Sequence, residues 1–174
     1  MELQYERIYE SVTGGWVDLH PLHGKDELRD NLIVCKLLAD WGYQLQLLPC
    51  LNESDSSLRQ QLLPDVSPNK NPDVRINYKI IADIKTPYKT NVTKTALKGA
   101  LYRAAQQKVS TVILNLFQST YSFTNLKDAL LATLAPDRNR SIKEVWLITF
   151  DNNLLIIPRK MINTRRFYEV LNCL

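Results

Sequence analysis

At 174 residues and a net charge of +4, the chain has room for one compact domain, and its mild positive balance permits a polyanionic partner without requiring one. No apolar run is long enough to span a bilayer, and the start lacks a basic stretch followed by an apolar one, so neither a membrane segment nor a signal peptide is expected. Cys35, Cys50 and Cys173 are odd in number and lack metal-ligand spacing, which argues against a disulfide framework and a zinc site.

In chain order, Tyr5, Ile8, Tyr9 and Val12 have helical spacing and predict a short leading helix, broken at Gly14-Gly15. His20-Pro21-Leu22-His23-Gly24 reads as a turn. Pro21 speaks against a helix presenting both histidines to one metal, and phosphate contact by either is left open. Lys25 to Trp41 predicts a helix with Leu28, Leu32, Cys35 and Ala39 in one apolar row, widened by Ile33, Leu37 and Leu38, and ended by Gly42. Glu27 lies in its first turn, one row off that stripe, with Asn31 one turn on. It has two readings of equal standing: compensation of the helix dipole, or a ligand to a metal or water. Tyr43 to Leu48 alternates as a strand closed by Pro49. Leu51 to Lys70 is polar, with a helical turn near Leu58–Leu63, and is either a mobile insertion or a cover for a site.

The sequence from Lys70 to Lys85 carries the most chemistry. Val74 and Ile76, then Ile80, Ala82 and Ile84, alternate with polar residues, as in half-buried strands. Placing these five on one face requires an odd loop. A loop at Asn77-Tyr78-Lys79 pairs Ile76 with Ile80, Val74 with Ala82 and Asp73 with Asp83. Lys85 then follows Asp83 on the same face, about 6–7 Å along the strand. Adjacent carboxylates resist joint ionisation, and a divalent cation relieves that cost. Mg²⁺ accepts a few carboxylate oxygens and retains waters, and it can activate a bound water beside a phosphate. A neighbouring Lys can position that water or neutralise developing charge. The alternative is a weak surface pair of Asp and Lys.

Farther on, Lys94 to Lys108 predicts a helix capped by Thr93 or Asn91 and buried through Leu97, Leu101, Ala104 and Ala105. Lys94, Lys98, Tyr102 and Arg103 lie along a neighbouring side. They suit a phosphate backbone and a stacked base, or form a solvated basic face. Thr111 to Phe117 reads as an interior strand, and strand, helix, strand suggests a crossover within one sheet. Phe123 to Leu134 predicts a helix, Lys143–Phe150 and Leu154–Ile157 a strand pair, and Arg159 to Leu174 a closing helix.

Pro72-Asp73 with Asp83-Ile84-Lys85 resembles the PD-(D/E)xK nuclease superfamily. The fuller string, Asn71-Pro72-Asp73, Asp83-Ile84-Lys85-Thr86-Pro87, a helix ending in Gln and an apolar strand, resembles the C-terminal nuclease toxin domains of contact-dependent growth-inhibition (CdiA) proteins, several of which cut tRNA. The resemblance covers about Gly24 to Arg159. It implies a mixed central β-sheet flanked by helices, with a restriction-endonuclease-like (αβββαβ) core over about 24–117 and an extension over about 123–174, in one domain. It implies a Mg²⁺- or Mn²⁺-dependent endonuclease in which Asp73, Asp83, Glu27 and the Ile84 carbonyl hold the ion. Lys85 would position water, and Gln107 would approach Lys85 or the phosphate. The implied partners are nucleic acid, tRNA ahead of DNA, and a cognate immunity protein. The implied place of action is the cytoplasm of a neighbouring bacterial cell. A DNA endonuclease or an inactive nucleic-acid-binding domain on the same scaffold is the alternative. Tyr78 departs from easy hairpin chemistry, where a small residue would turn more readily.

Overall fold

Strand alternation, not helical spacing, governs the start of the chain. In the computed structural model, which describes residues 4–87 and 90–172, the expected leading helix is replaced by two antiparallel strands, β1 (Glu6–Glu10) and β2 (Trp16–Leu19). The register slips between Arg7 and Tyr9. That bulge breaks the period of two and makes Tyr5, Ile8 and Tyr9 look helical. Tyr88, Lys89 and Cys173 lie outside the described residues.

Two compact units divide the chain, Met1–Ile84 and Lys85–Leu174. In the first, β2 runs parallel to β3 (Gln44–Leu47) across the helix α1 (Lys25–Asp40). After the short helix α2 (Ser56–Leu62), β4 (Val74–Ile76) pairs antiparallel with β3 and with β5 (Ile80–Lys85). Val17, Leu45, Leu47, Val74, Ile76 and Ala82 share one fully buried face through this register. The α1 helix covers that face. Tyr9, paired with Val17, donates to Asp40 at 2.7 Å and lies under Lys36. Gly15 is required beneath the end of α1, because a Cβ there would fall 2.1 Å from the Ala39 carbonyl oxygen.

The buried stripe of α1 is rotated from the expected one. Asn31, Val34, Cys35, Leu38 and Ala39 are buried, whereas Ile33 is 40% exposed. A polar residue at the head of the stripe conceals it from a purely hydrophobic count.

In the second unit, α3 (Lys94–Gln106) is capped by Thr93, whose hydroxyl accepts the Ala96 N–H at 3.2 Å. It packs against α4 (Phe123–Thr133), capped in the same way by Ser122. All five residues of β6 (Thr111–Asn115) are buried, as expected of an interior strand. It runs parallel to β7 (Glu144–Ile148), which pairs antiparallel with β8 (Leu154–Pro158). The expected closing helix is shorter and interrupted: a 3-10 turn (Arg159–Met161), then α5 (Arg165–Leu171), restarted by the Thr164 cap. Both units are mixed α/β, and the element order includes helix, strand, hairpin, helix, strand.

Candidate functional site

The hairpin forms with the predicted loop and register: Ile76 pairs with Ile80 and Val74 with Ala82, around Asn77-Tyr78-Lys79. Asn77 and Tyr78 both take left-handed backbone angles, φ 48° and 59°. Tyr78 sits there with its ring edge-on to Trp16 at 5.5 Å, a contact that offsets part of the conformational cost.

One step differs from expectation. Asp73 is a bend residue outside β4, so the ladder stops at Val74–Ala82 and the Asp73–Asp83 rung is not part of it. The main chain of Asp73 stays on β3, its carbonyl accepting the Leu48 N–H at 2.9 Å. Its side chain instead reaches β5, where Oδ2 accepts the Ile84 N–H at 2.6 Å. Ile84 is bonded to Asp83, so covalent geometry keeps the two carboxylates within about 8 Å of each other. Both are buried, Asp73 at 4% exposure and Asp83 at 1%.

The other Asp73 oxygen, Oδ1, faces α1 and accepts from the Asn31 amide nitrogen at 3.2 Å. The same amide nitrogen lies 3.2 Å from His23 Nε2. His23 Nδ1 lies 2.6 Å from the Leu48 carbonyl oxygen, which can only accept. Nδ1 therefore carries the proton, Nε2 is the acceptor, and the Asn31 amide spends one hydrogen on each partner. A chain of contacts thus runs from the Leu48 carbonyl through His23 and Asn31 to Asp73. Burial pushes the Cys35 thiol far above its ordinary range, and the Asp73 carboxylate adds to the effect.

Strand alternation gives Asp83 and Lys85 the parity of Ile81 rather than that of Ala82. Ile81 packs on a second apolar cluster built on Leu48, Leu51 and Leu63. The polar segment before Asp73 is thereby anchored on that side. Buried Arg59 clasps it, donating to the Leu51 carbonyl at 2.8 Å, to Asn71 Oδ1 at 3.0 Å and to the Lys70 carbonyl. Asn71 also binds both backbone groups of Leu51. Arg75 pairs with Asp65 at 2.6 Å. These contacts hold the segment in place, against the reading of a loose insertion.

Glu27 lies one helical turn before Asn31 on the same row, at the exposed end of the buried stripe. Lys85 is half-buried at the end of β5. Gln107 is the C-cap of α3, its N–H bonded to the Ala104 and Ala105 carbonyls. Lys94 pairs with Asp128 at 3.3 Å, while Tyr102 is 57% exposed and Arg103 is exposed beside it. His20 is fully buried, its Nδ1 accepting the Leu22 N–H and its ring edge-on to Tyr5. Asn31 and His23 as supports of Asp73 escape a reading of the sequence alone. The one available signal is a polar residue at a buried helical position four residues after Glu27.

Among the described residues, no three His, Cys, Asp or Glu side chains are gathered closely enough to enclose an ion. What the hairpin end supplies is hard oxygen chemistry: two buried carboxylates, Asp73 accepting the Ile84 N–H and Asp83 on the residue before it. That set suits Mg²⁺, which takes one or two carboxylates and keeps its waters, better than a metal that demands a full protein cage.

No family model matches the chain, and no curated protein matches it. Among solved structures it resembles a chain of the CdiA-CT/CdiI toxin and immunity complex from Burkholderia pseudomallei, at 20% identity and a TM-score of 0.52, over 79% of this chain and 91% of that one. At that identity the likeness is one of fold.

Proposed function

We propose that the protein is a metal-dependent nuclease toxin with a restriction-endonuclease-like core, cutting RNA and most specifically tRNA. The observation that carries this reading is the buried Asp73 carboxylate held on the Ile84 N–H and the Asn31 amide, with buried Asp83 bonded to Ile84 and Lys85 two residues after Asp83. Asp73, Asp83 and the Ile84 carbonyl would hold Mg²⁺ or Mn²⁺, and Glu27 would approach through its own carboxylate or a water. When bound, such an ion supplies an activated water and charge stabilisation at phosphorus.

The chain's own residues do the rest. Asn31 and the Ile84 N–H fix the Asp73 carboxylate in place. Burial excludes bulk water and strengthens each electrostatic contact. Lys85 orients the attacking water, and Gln107 steadies Lys85 or the phosphate. The likeness in fold to a chain of a toxin and immunity complex supports the toxin reading. By the same reasoning, a tight-binding immunity protein is the cognate partner, and the target is reached inside a neighbouring bacterial cell.

Incubation of the purified protein with tRNA and with duplex DNA, in Mg²⁺ and in chelator, tests the assignment. Metal-dependent scission of tRNA, lost in Asp83→Asn, is expected. Preferential cutting of duplex DNA would replace RNA with DNA as the substrate, and cleavage of neither would remove the nuclease assignment.

A further inference from the structure

The second unit holds a cleft of about 490 Å³ where α3 meets the end of α4 and the loop after it. One wall is a single row of α3: Thr95, Lys98, Gly99 and Tyr102. The other is Thr133 with Arg138 and Asn139. Gly99 adds no side chain to the floor. The volume lies within the range of small-molecule sites.

Three features point to an occupant. Lys98 and Arg138 have no acid partner among the described residues, unlike Lys94, which pairs with Asp128. Thr133 is 4% exposed, yet its hydroxyl oxygen has no hydrogen-bond partner. A threonine there would ordinarily bond back to the preceding helical turn. The Arg138 loop is also held ready. Arg159 donates to the carbonyls of Asn139, Ile142, Ala135 and Arg138, and Asn139 ties the loop to the Thr133 carbonyl at 2.9 Å. The backbone is fixed while the Arg138 guanidinium stays available.

We propose that this cleft binds one nucleotide of the nucleic-acid substrate, its phosphate on Lys98 and Arg138 and its base on the Tyr102 ring, with the Thr133 hydroxyl bonding a polar edge. Two cations and an aromatic face form a recurring site for single-stranded nucleic acid, and base stacking tolerates any base. The inference rests on the nucleic-acid reading above and adds a subsite remote in sequence from Asp73 and Asp83.

The test is binding of a fluorescein-labelled oligoribonucleotide, and of AMP as the minimal probe, to the full chain carrying Asp83→Asn to prevent cleavage. Adding Lys98→Gln with Arg138→Gln should lower the slope of log affinity against log salt by about 1.4, two phosphate-type contacts on a single strand. Tyr102→Leu should weaken binding about 5- to 150-fold. Thr133→Val should weaken binding without lowering the unfolding midpoint, a split that a purely structural hydroxyl would not give. Unchanged affinity and salt slope in these variants, or binding of neither probe, overturns the subsite. Normal tRNA cleavage with unaltered cleft variants would sink the subsite alone. Cleft-dependent binding in a wild-type protein that cuts no nucleic acid would sink the nuclease reading alone.

Discussion

Asn31→Ala is the most informative perturbation of the fold, because one buried amide supports two partners. Asn31 is 3% exposed and contributes both Nδ2 hydrogens, one to Asp73 Oδ1 and one to His23 Nε2, each at 3.2 Å. Truncation leaves a buried carboxylate oxygen and a buried imidazole nitrogen without those donors. A hydrogen bond to a charged group contributes about 1.5–3 kcal/mol and a neutral one about 1, so the combined loss should be roughly 2–4 kcal/mol. For a chain of this length that corresponds to a fall of roughly 4–16 °C in melting temperature. Urea unfolding at neutral pH measures it. Asn31→Asp should be worse than Asn31→Ala at neutral pH, since it sets a second carboxylate against Asp73, and should recover as the pH is lowered. A loss below about 0.5 kcal/mol for Asn31→Ala, or the same stability for both variants, would refute this chain of contacts as a support for Asp73.

Other outcomes follow from single contacts. Cys50 is exposed and should react with a thiol reagent in the native state, while Cys35 should react only on unfolding, as followed by mass spectrometry of labelled peptides. Because the Cys35 thiol is raised in the fold, its contribution is complete below its unfolded pKa and is lost as pH rises beyond it. Above about pH 9 wild type should therefore lose up to about 1.4 kcal/mol per pH unit more than Cys35→Ala in urea titrations. Gly15→Ala should cost about 3 kcal/mol, since the added carbon meets the backbone of α1, which cannot yield cheaply. Arg59→Met should release the segment before Asp73, giving cleavage within residues 52–70 under limited proteolysis while the remainder of the chain resists.

The hairpin was legible because apolar parity alone fixes an odd loop, even with Tyr78 standing where a small residue would turn more readily. The end of the hairpin was not legible: whether Asp73 continues the ladder or bends toward α1 depends on Asn31 and on the Ile84 N–H, neither adjacent in sequence. The span of α1 was readable from its apolar row and the Gly42 stop, but its inward face is rotated because Asn31 leads the buried stripe. The first strands were lost to a bulge at Ile8, which mimics helical spacing. The order of the segment before Pro72 rests on one arginine donating to carbonyls 8 and 11 residues away, contacts no local pattern announces. Lys98 and Tyr102 could be picked out on one helix, but their opposite wall at Thr133 and Arg138 required the packing of α3 on α4.

Manganese binding tests the central claim most directly, since it interrogates the two carboxylates without assuming a substrate. Titration followed by electron paramagnetic resonance should show a bound ion in wild type, with affinity at least about 10-fold weaker in both Asp73→Asn and Asp83→Asn. Equal binding by all three proteins, or none by wild type, would contradict the account.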